Sequence, residues 1–496
     1  MAVSGVINTN LGALSAQNAL NNTTGALNRA VKELSTGQKI NSPADNPAGY
    51  AISQRFTTQI NGLNQAISNA NQAVSLVQTG TGAIQKETGI LQKIRTIAVQ
   101  AANGSNSIQD RQSLQNVVSQ LTAQVNTIAK QTQFNGQNLL DGTFAGQQFQ
   151  VGANANQILN VSISSAKASD IGVNQSTAAT GSLYSGSTGS TLSGQAFTST
   201  TSGGAFTSGS VKIAGSKGTG SVKVSKATES AANVASSVND ITQNTNVTAT
   251  ANTKVALKVG FNSSSISFSL GNGDTTTNGQ TNSVNITATS TDGLVSAINN
   301  NTATTGITAT KDTNGNLVLE QNGGKNISIT GFSGSGSAAL TAEAAGGTGS
   351  ATAITTGSTT GLIQGQVSLQ STEGFAVSTG ASNIGLKSTS SLNSVSGVDV
   401  STVSGANQAI STIDHAISAL NQEGGRLGAT QQRVQSLTSN LQTASTNLTS
   451  ARSTVRDANV AKVTSQLTRA QILQQAGIST LAQANGLQQS FLKLLP

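Results

Sequence analysis

Apolar residues recur at alternating spacings of three and four near both ends of this chain, and the middle lacks that pattern. Residues 1 to about 160 and about 400 to 496 are rich in Gln, Asn, Ala and Leu at helical spacing, whereas about 180 to 400 is rich in Ser, Thr and Gly with strand-like alternation. An a/d stripe needs a partner helix to bury it. Neither end supplies a partner for every stripe from within itself. The economical arrangement brings the ends together and leaves the middle as an insertion. The expected fold is therefore mainly α at the paired termini, with long coiled-coil helices and a helical bundle, and an inserted β-rich or α+β middle region.

At the N-terminal end Leu20, Thr24, Leu27, Val31 and Leu34 form one a/d seam. A break follows at 42–47, where Pro47 suits the first helical position and Asn46 can cap the free amides. A second helix then holds a seam from Phe56 through Ile84 and Thr88 to Leu91 and runs to Asn103-Gly104, a length of roughly 85 Å. Ser107 and Asp110 have the spacing of a capping box for a third helix, marked by Leu114, Val117, Leu121, Val125 and Ile128. The segment around Phe149–Gly152 reads as a small hairpin region. At the other end one seam extends from Ile410 to Val455, and Val460, Val463, Leu467, Ala470, Ile478 and Leu481 mark a last helix that reaches the tail 491–496. The terminal helices bury little area with their small and amide side chains, so they are marginal alone and should order on assembly.

The middle alternates with period two over 254–259 and 265–270, the pattern of half-buried strands. A weak repeat pairs a short helix at 231–239 and the following NVTATANTKVAL with a short helix at 292–299 and the following GITATKDTNGNLVL. Asn314-Gly315 in the second copy is a hairpin turn signal. Two related α+β modules are expected at about 205–262 and 263–332, with 333–400 returning the chain.

Composition removes most chemistry. With no Cys and one His, thiolate metal sites, disulfides, thiol nucleophiles and paired-imidazole zinc sites are excluded. The charge of +8 is spread over 496 residues without a dense basic run, so no nucleic-acid partner is expected. No apolar run is long enough for a membrane span, and the first residues lack a basic n-region and apolar h-region, which leaves a cytoplasmic chain or export without a cleaved leader. The Gly-rich pieces 215–223 and 331–340 lack the Gly-Lys-Ser/Thr of a phosphate loop, and 322–326 has Asn in place of the required hydroxyl, so these read as loops and a turn. His415 has only Asp414 beside it and no nucleophile at helical spacing, which makes it an ordinary helix histidine. No enzyme activity and no cofactor are expected.

Four blocks carry a resemblance: ELSTGQKINSPADNPAGYAISQRF (33–56), NANQAVSLVQTGTGAI (69–84), QTQFNGQNLLDG (131–142) and ARSTVRDANVAKVTSQLTRAQILQQAGISTLAQAN (451–485). In this order they resemble the signature blocks of bacterial flagellins, and the middle is similar to the variable outer region of that family. The resemblance implies a structural subunit that polymerises into the flagellar filament used for swimming. It places 1–45 and 457–496 in an inner tube of terminal helices, 46–180 and 400–456 in a surrounding helical domain, and 181–399 outside. The polymerisation seam would then comprise Leu20, Leu27, Val31, Leu34, Val463, Leu467, Ala470, Ile478 and Leu481. Implied partners are further copies of the chain, the filament cap, hook-junction proteins, an export chaperone and the flagellar type III apparatus, with the product secreted into an extracellular filament.

The stretch LQKIRTIAVQ (91–100) resembles a family stretch of the type LQRVRELAVQ read by an innate-immune Toll-like receptor, with Lys93, Arg95 and Ile97 at the matching places. Residues 114–128 contain no acid where the family has one, so weak activation is expected. A hook-filament junction protein, whose ends look similar, and a surface adhesin are the rival readings.

Overall fold

The computed structural model describes residues 9–177, 197–198, 209–224, 230–261, 265–272, 281–312, 314–334, 339–343, 353–355, 360–363, 365–379 and 386–492. In chain order its helices are α1 (Leu11–Thr36), α2 (Pro47–Ala101), α3 (Ile108–Gln131), α4 (Ala231–Asp240), the single turn α5 (Thr242–Thr245), α6 (Thr291–Asn299), the single turn α7 (Thr302–Thr305), α8 (Val403–Arg456) and α9 (Val460–Leu492). The termini are thus mostly helical and the inserted middle is rich in strands. Two compact units result, one of Met1–Thr79, Ala145–Ser162 and Arg426–Pro496, the other of Gly80–Phe144 and Ile163–Gly425.

In the first unit α1 stops at Gly37, which takes the left-handed conformation (φ 66°) that a side chain would disfavour. Helix α2 restarts as its sequence dictates, with Asn46 Oδ1 accepting the Gly49 amide at 2.9 Å and Pro47 as the first helical residue. A Cβ at Gly49 would stand 2.6 Å from Ile40 Cδ1, so the Ile40 side chain would have to shift to admit one. The hairpin of Gln147–Gln150 and Ile158–Val161 docks on α2, with Asn69 Nδ2 donating to the Gln150 carbonyl at 2.9 Å.

In the second unit α3 starts with the expected capping box: Ser107 Oγ accepts the Asp110 amide, and the Asp110 carboxylate accepts the Ser107 amide. The Ser107 hydroxyl, then its amide, holds the Asp110 carboxyl below the usual carboxylate range. Arg111 closes the preceding helix. Its buried guanidinium donates to the carbonyls of Ala101 and Asn103, both at 3.0 Å, which satisfies groups left free at the end of α2.

The inserted strands of this unit form several sheets. The largest runs Thr308–Lys311, Leu317–Gln321, Thr248–Gly260, Gln366–Ser371, Gly172–Thr177 and Ser391–Ser394, with Ala339–Glu343 also paired to Thr248–Gly260. A repeat sixty residues long is visible in the hydrogen bonds. The Asn239 amide exchanges two bonds with the Ala249 backbone, and Asn299 does the same with Ala309. Thr242 Oγ1 donates to the Val247 carbonyl, and Thr302 Oγ1 to Ile307, each at 2.9 Å. Each copy has its own core. Val211, Ile213, Val234, Val238 and Val247 belong to one, and Phe268, Leu270, Leu294, Ile298 and Ile307 to the other.

Two features lay outside the sequence reading. The 333–400 stretch does more than return the chain: Val367, Leu369, Phe375 and Val377 complete the core around α4. Gly172–Thr177, grouped by sequence with the helical part, is a strand between Gln366–Ser371 and Ser391–Ser394, because strand pairing recruits segments about two hundred residues apart.

Candidate assembly interface

Helices α1 and α9 lie antiparallel in the first unit. Asn10 caps α1, its Oδ1 accepting the Ala13 amide at 2.8 Å, while its Nδ2 donates to the Ala484 carbonyl at 3.1 Å. At the other end Lys39 N donates to the Arg456 carbonyl (2.7 Å), Ala458 N to the Gly37 carbonyl (2.9 Å), and Arg456 Nε to Gln38 Oε1 (3.0 Å). Both ends of the hairpin are therefore fixed by polar contacts, and the register between them is set.

The inward face of α9 is Val463, Leu467, Ala470, Gln474, Gly477, Leu481 and Ala484, buried or half-buried at spacings of four and three throughout. Opposite it α1 turns in Ala13, Ala16, Leu20, Thr23, Thr24, Leu27 and Ala30. Of the predicted seam residues, Leu20, Leu27, Val463, Leu467, Ala470 and Leu481 are thus brought together. The other three are not. Ile478 is 55% exposed, and its place is taken by Gly477, where a Cβ would meet Leu20 Cδ1 at 3.5 Å. Val31 is 50% exposed and Ala30 is buried instead, because the register brings position 30 to the level of Val463 and Leu467, where a small side chain fits. Leu34, near the end of α1, also stays exposed.

What sequence reasoning missed is the other side of α9. Ile472 points away from the seam by helical geometry, Leu473 and Leu487 lie on one flank, and Val460 and Ile478 lie on the other. All five are exposed. A helix with large apolar side chains on more than one side buries them against more than one neighbour, and among the described residues α1 covers one side of this one.

In the second unit Arg95 on α2 pairs with Asp414 on α8, Nε to Oδ1 at 2.6 Å and Nη2 to Oδ2 at 3.3 Å, and the pairing raises the guanidinium pKa. Lys93 is exposed and Ile97 half-buried. The acid that meets Arg95 thus comes from α8, which spacing along the N-terminal helices could not reveal. His415 bonds through Nδ1 to the Ser411 carbonyl of its own helix at 2.8 Å. Of the Gly-rich pieces, 215–223 is a hairpin with Gly215 paired to Gly218, 322–326 is a turn, and 335–338 lie outside the described residues. Among the described residues no helix is long and apolar enough to cross a membrane.

Residues 7–145 match the bacterial flagellin N-terminal helical region, and residues 410–495 match the bacterial flagellin C-terminal helical region. Residues 265–323 match the flagellin hook IN motif, which covers the copy containing α6 and α7. Over 99% of both chains the sequence is 38% identical to B-type flagellin of Pseudomonas aeruginosa. The chain belongs to the bacterial flagellin family. Flagellin A of Vibrio anguillarum is 29% identical, again over 99% of both chains. Among solved structures, the flagellar junction protein FlgL of Legionella pneumophila covers 83% of this chain and 100% of its own, at 12% identity and a TM-score of 0.32, values too low to argue for a junction role. As a flagellin the chain is a structural subunit that polymerises into the extracellular flagellar filament used for motility.

Proposed function

We propose that the α1–α9 hairpin is the subunit-joining element of the filament. On this reading 1–45 and 457–496 line the inner tube, 46–180 and 400–456 form the helical layer around it, and 181–399 project outward with the repeated modules at about 205–262 and 263–332. The observation that carries the reading is the apolar surface that α9 keeps on the side away from α1. Leu20, Leu27, Val463, Leu467, Ala470 and Leu481 hold each hairpin together, while Val31, Leu34 and Ile478 join Ile472 and Leu487 in meeting neighbouring copies. The chain has a mechanical task and no catalytic one. It is secreted through the flagellar type III apparatus with an export chaperone, and meets hook-junction proteins at the filament base and the cap at its tip. The Toll-like receptor responds weakly, since the Asp414 carboxylate already occupies two N–H groups of Arg95.

Electron microscopy of purified chain, heated and then cooled, should show long regular filaments. Joining 180 to 400 through a short linker should leave them intact. A stably folded deletion that never polymerises would refute the assignment of 181–399 to the outside.

A further inference from the structure

The buried face of α2 is a heptad seam of unusual regularity. Leu63, Ala66, Ala70, Ala73, Val77, Gly80, Ile84, Glu87, Leu91, Ile94, Ala98 and Ala101 follow one another at spacings of three and four, and every one is buried. One of them is an acid. Glu87 is 0% exposed, between Ile84 and Leu91 on the same face, and neither carboxyl oxygen has a hydrogen-bond partner among the described residues. The a/d spacing of the sequence points to Thr88 at this turn, whereas Thr88 is half-buried and Glu87 beside it is buried.

Among the described residues no cation is paired with Glu87, and Arg426, the base nearest to Glu423 along α8, is exposed. The register on α8 is fixed by the Arg95–Asp414 pair and by Ile84, whose Cγ2 lies 3.9 Å from where a Gly424 Cβ would be. At the level of Glu87, α8 presents another core acid, the buried Glu423, whose Oε1 accepts the Ser164 amide at 3.2 Å. Helix α3 has no charged residue from 112 to 129. In the segment after 163, Lys167 is paired with Asp170 at 3.4 Å. On α2 itself Lys86 and Lys93 face solvent, and Arg95 is engaged by Asp414. A carboxylate without a cation or donor cannot stay in such an interior at low cost, whereas the neutral acid loses only its hydrogen bonds to water.

We propose that Glu87 is a proton-held lock on the helical bundle of the second unit: protonated, it lets α2 close on its neighbours, and deprotonated, it favours local opening of the 83–94 stretch. In the opening step the carboxyl O–H bond breaks, the proton passes to solvent base and the carboxylate keeps the electron pair. Burial raises the Glu87 carboxyl from its ordinary 4.5 to about 8. An acid whose folded pKa is raised holds its proton in the closed form over a range where the open form has released it, so the closed form loses stability as pH rises through that window. The window runs from about pH 4.5 to about pH 8, above which the closed form loses no more, and the device lies apart from the α1–α9 hairpin.

The test uses the full-length soluble subunit, so it does not depend on polymerisation. The infrared spectrum of the wild type minus that of Glu87→Gln should contain the carbonyl band of a protonated carboxylic acid near pH 7, and that band should vanish above about pH 8. Amide hydrogen exchange over 83–94, corrected for its intrinsic pH dependence, should show an opening constant that rises by up to about tenfold per pH unit below 8 and then levels off. Glu87→Gln should flatten that profile. If Glu87→Gln fails to fold, the wild-type band and exchange profile still decide, with Glu87→Leu as the subtraction control. A missing acid band at neutral pH would overturn the proposal, as would identical exchange profiles for wild type and variant.

Discussion

Replacing Ile472 with Asp separates a residue that holds the subunit together from one that joins subunits. Ile472 is 62% exposed, on the side of α9 opposite the seam, so the isolated chain gains little from it. The substitution should change subunit stability by no more than about 0.5 kcal/mol, as is usual at exposed sites. If assembly covers this face, the remaining exposed fraction of a side chain worth ~1.5–3 kcal/mol when fully buried is lost, or about 1–2 kcal/mol. The new carboxylate adds about 3–5 kcal/mol when buried without a partner. Arg469 lies three residues before it on the helix, but an exposed pair at that spacing returns only ~0.2–0.5 kcal/mol. The net penalty of about 4–7 kcal/mol per subunit corresponds to roughly a thousandfold to a hundred-thousandfold rise in the concentration needed for growth. Sedimentation of polymer against subunit concentration measures this directly, with circular dichroism to verify that the helices persist. Ile472→Ala should cost only the apolar part, about tenfold. Polymerisation of Ile472→Asp at the wild-type concentration would show that the exposed face of α9 does not join subunits.

Other perturbations read the remaining contacts. Leu467→Asp places the charge inside the hairpin, so it should stop assembly and also increase amide exchange along α1 and α9, which Ile472→Asp should not. Arg111→Ala leaves the carbonyls of Ala101 and Asn103 without their charged donor, a loss of about 1.5–3 kcal/mol that should raise exchange around 98–112 roughly ten- to a hundredfold. For Ser107→Ala the cap is removed together with the main cause of the lowered Asp110 carboxyl. That contribution is present above the ordinary Asp value of 3.8 and lost as pH falls through the depressed one, so wild-type and Ser107→Ala exchange rates over α3 should converge in acid. Asn299→Ala strands the Ala309 amide and carbonyl, and should cost about 1–3 kcal/mol, seen as faster proteolysis within the α6–α7 copy while the α1–α9 hairpin is unaffected.

Much of this architecture is written locally. The heptads announce the long helices, Ser107 with Asp110 and Asn46 with Pro47 mark where two of them begin, and the period-two segments and Asn314-Gly315 announce strands and a hairpin. Such signals depend on interactions within one or two turns, and the chain carries them wherever it goes. The sequence is less informative about which of two adjacent residues faces inward. Ala30 and Val31, Gly477 and Ile478, or Glu87 and Thr88 satisfy the period almost equally, and the choice falls to the shape of the opposing helix. Small side chains win at Ala30 and Gly477 because the opposite positions are filled by Val463, Leu467 and Leu20. Partners distant along the chain are likewise invisible to spacing. Arg95 meets Asp414 across 319 residues, and Gln366–Ser371 finds a place between Thr248–Gly260 and Gly172–Thr177 only when the sheet assembles. Local periodicity specifies the existence of an apolar face, while its occupant is set by the packing of surfaces brought together from different parts of the chain.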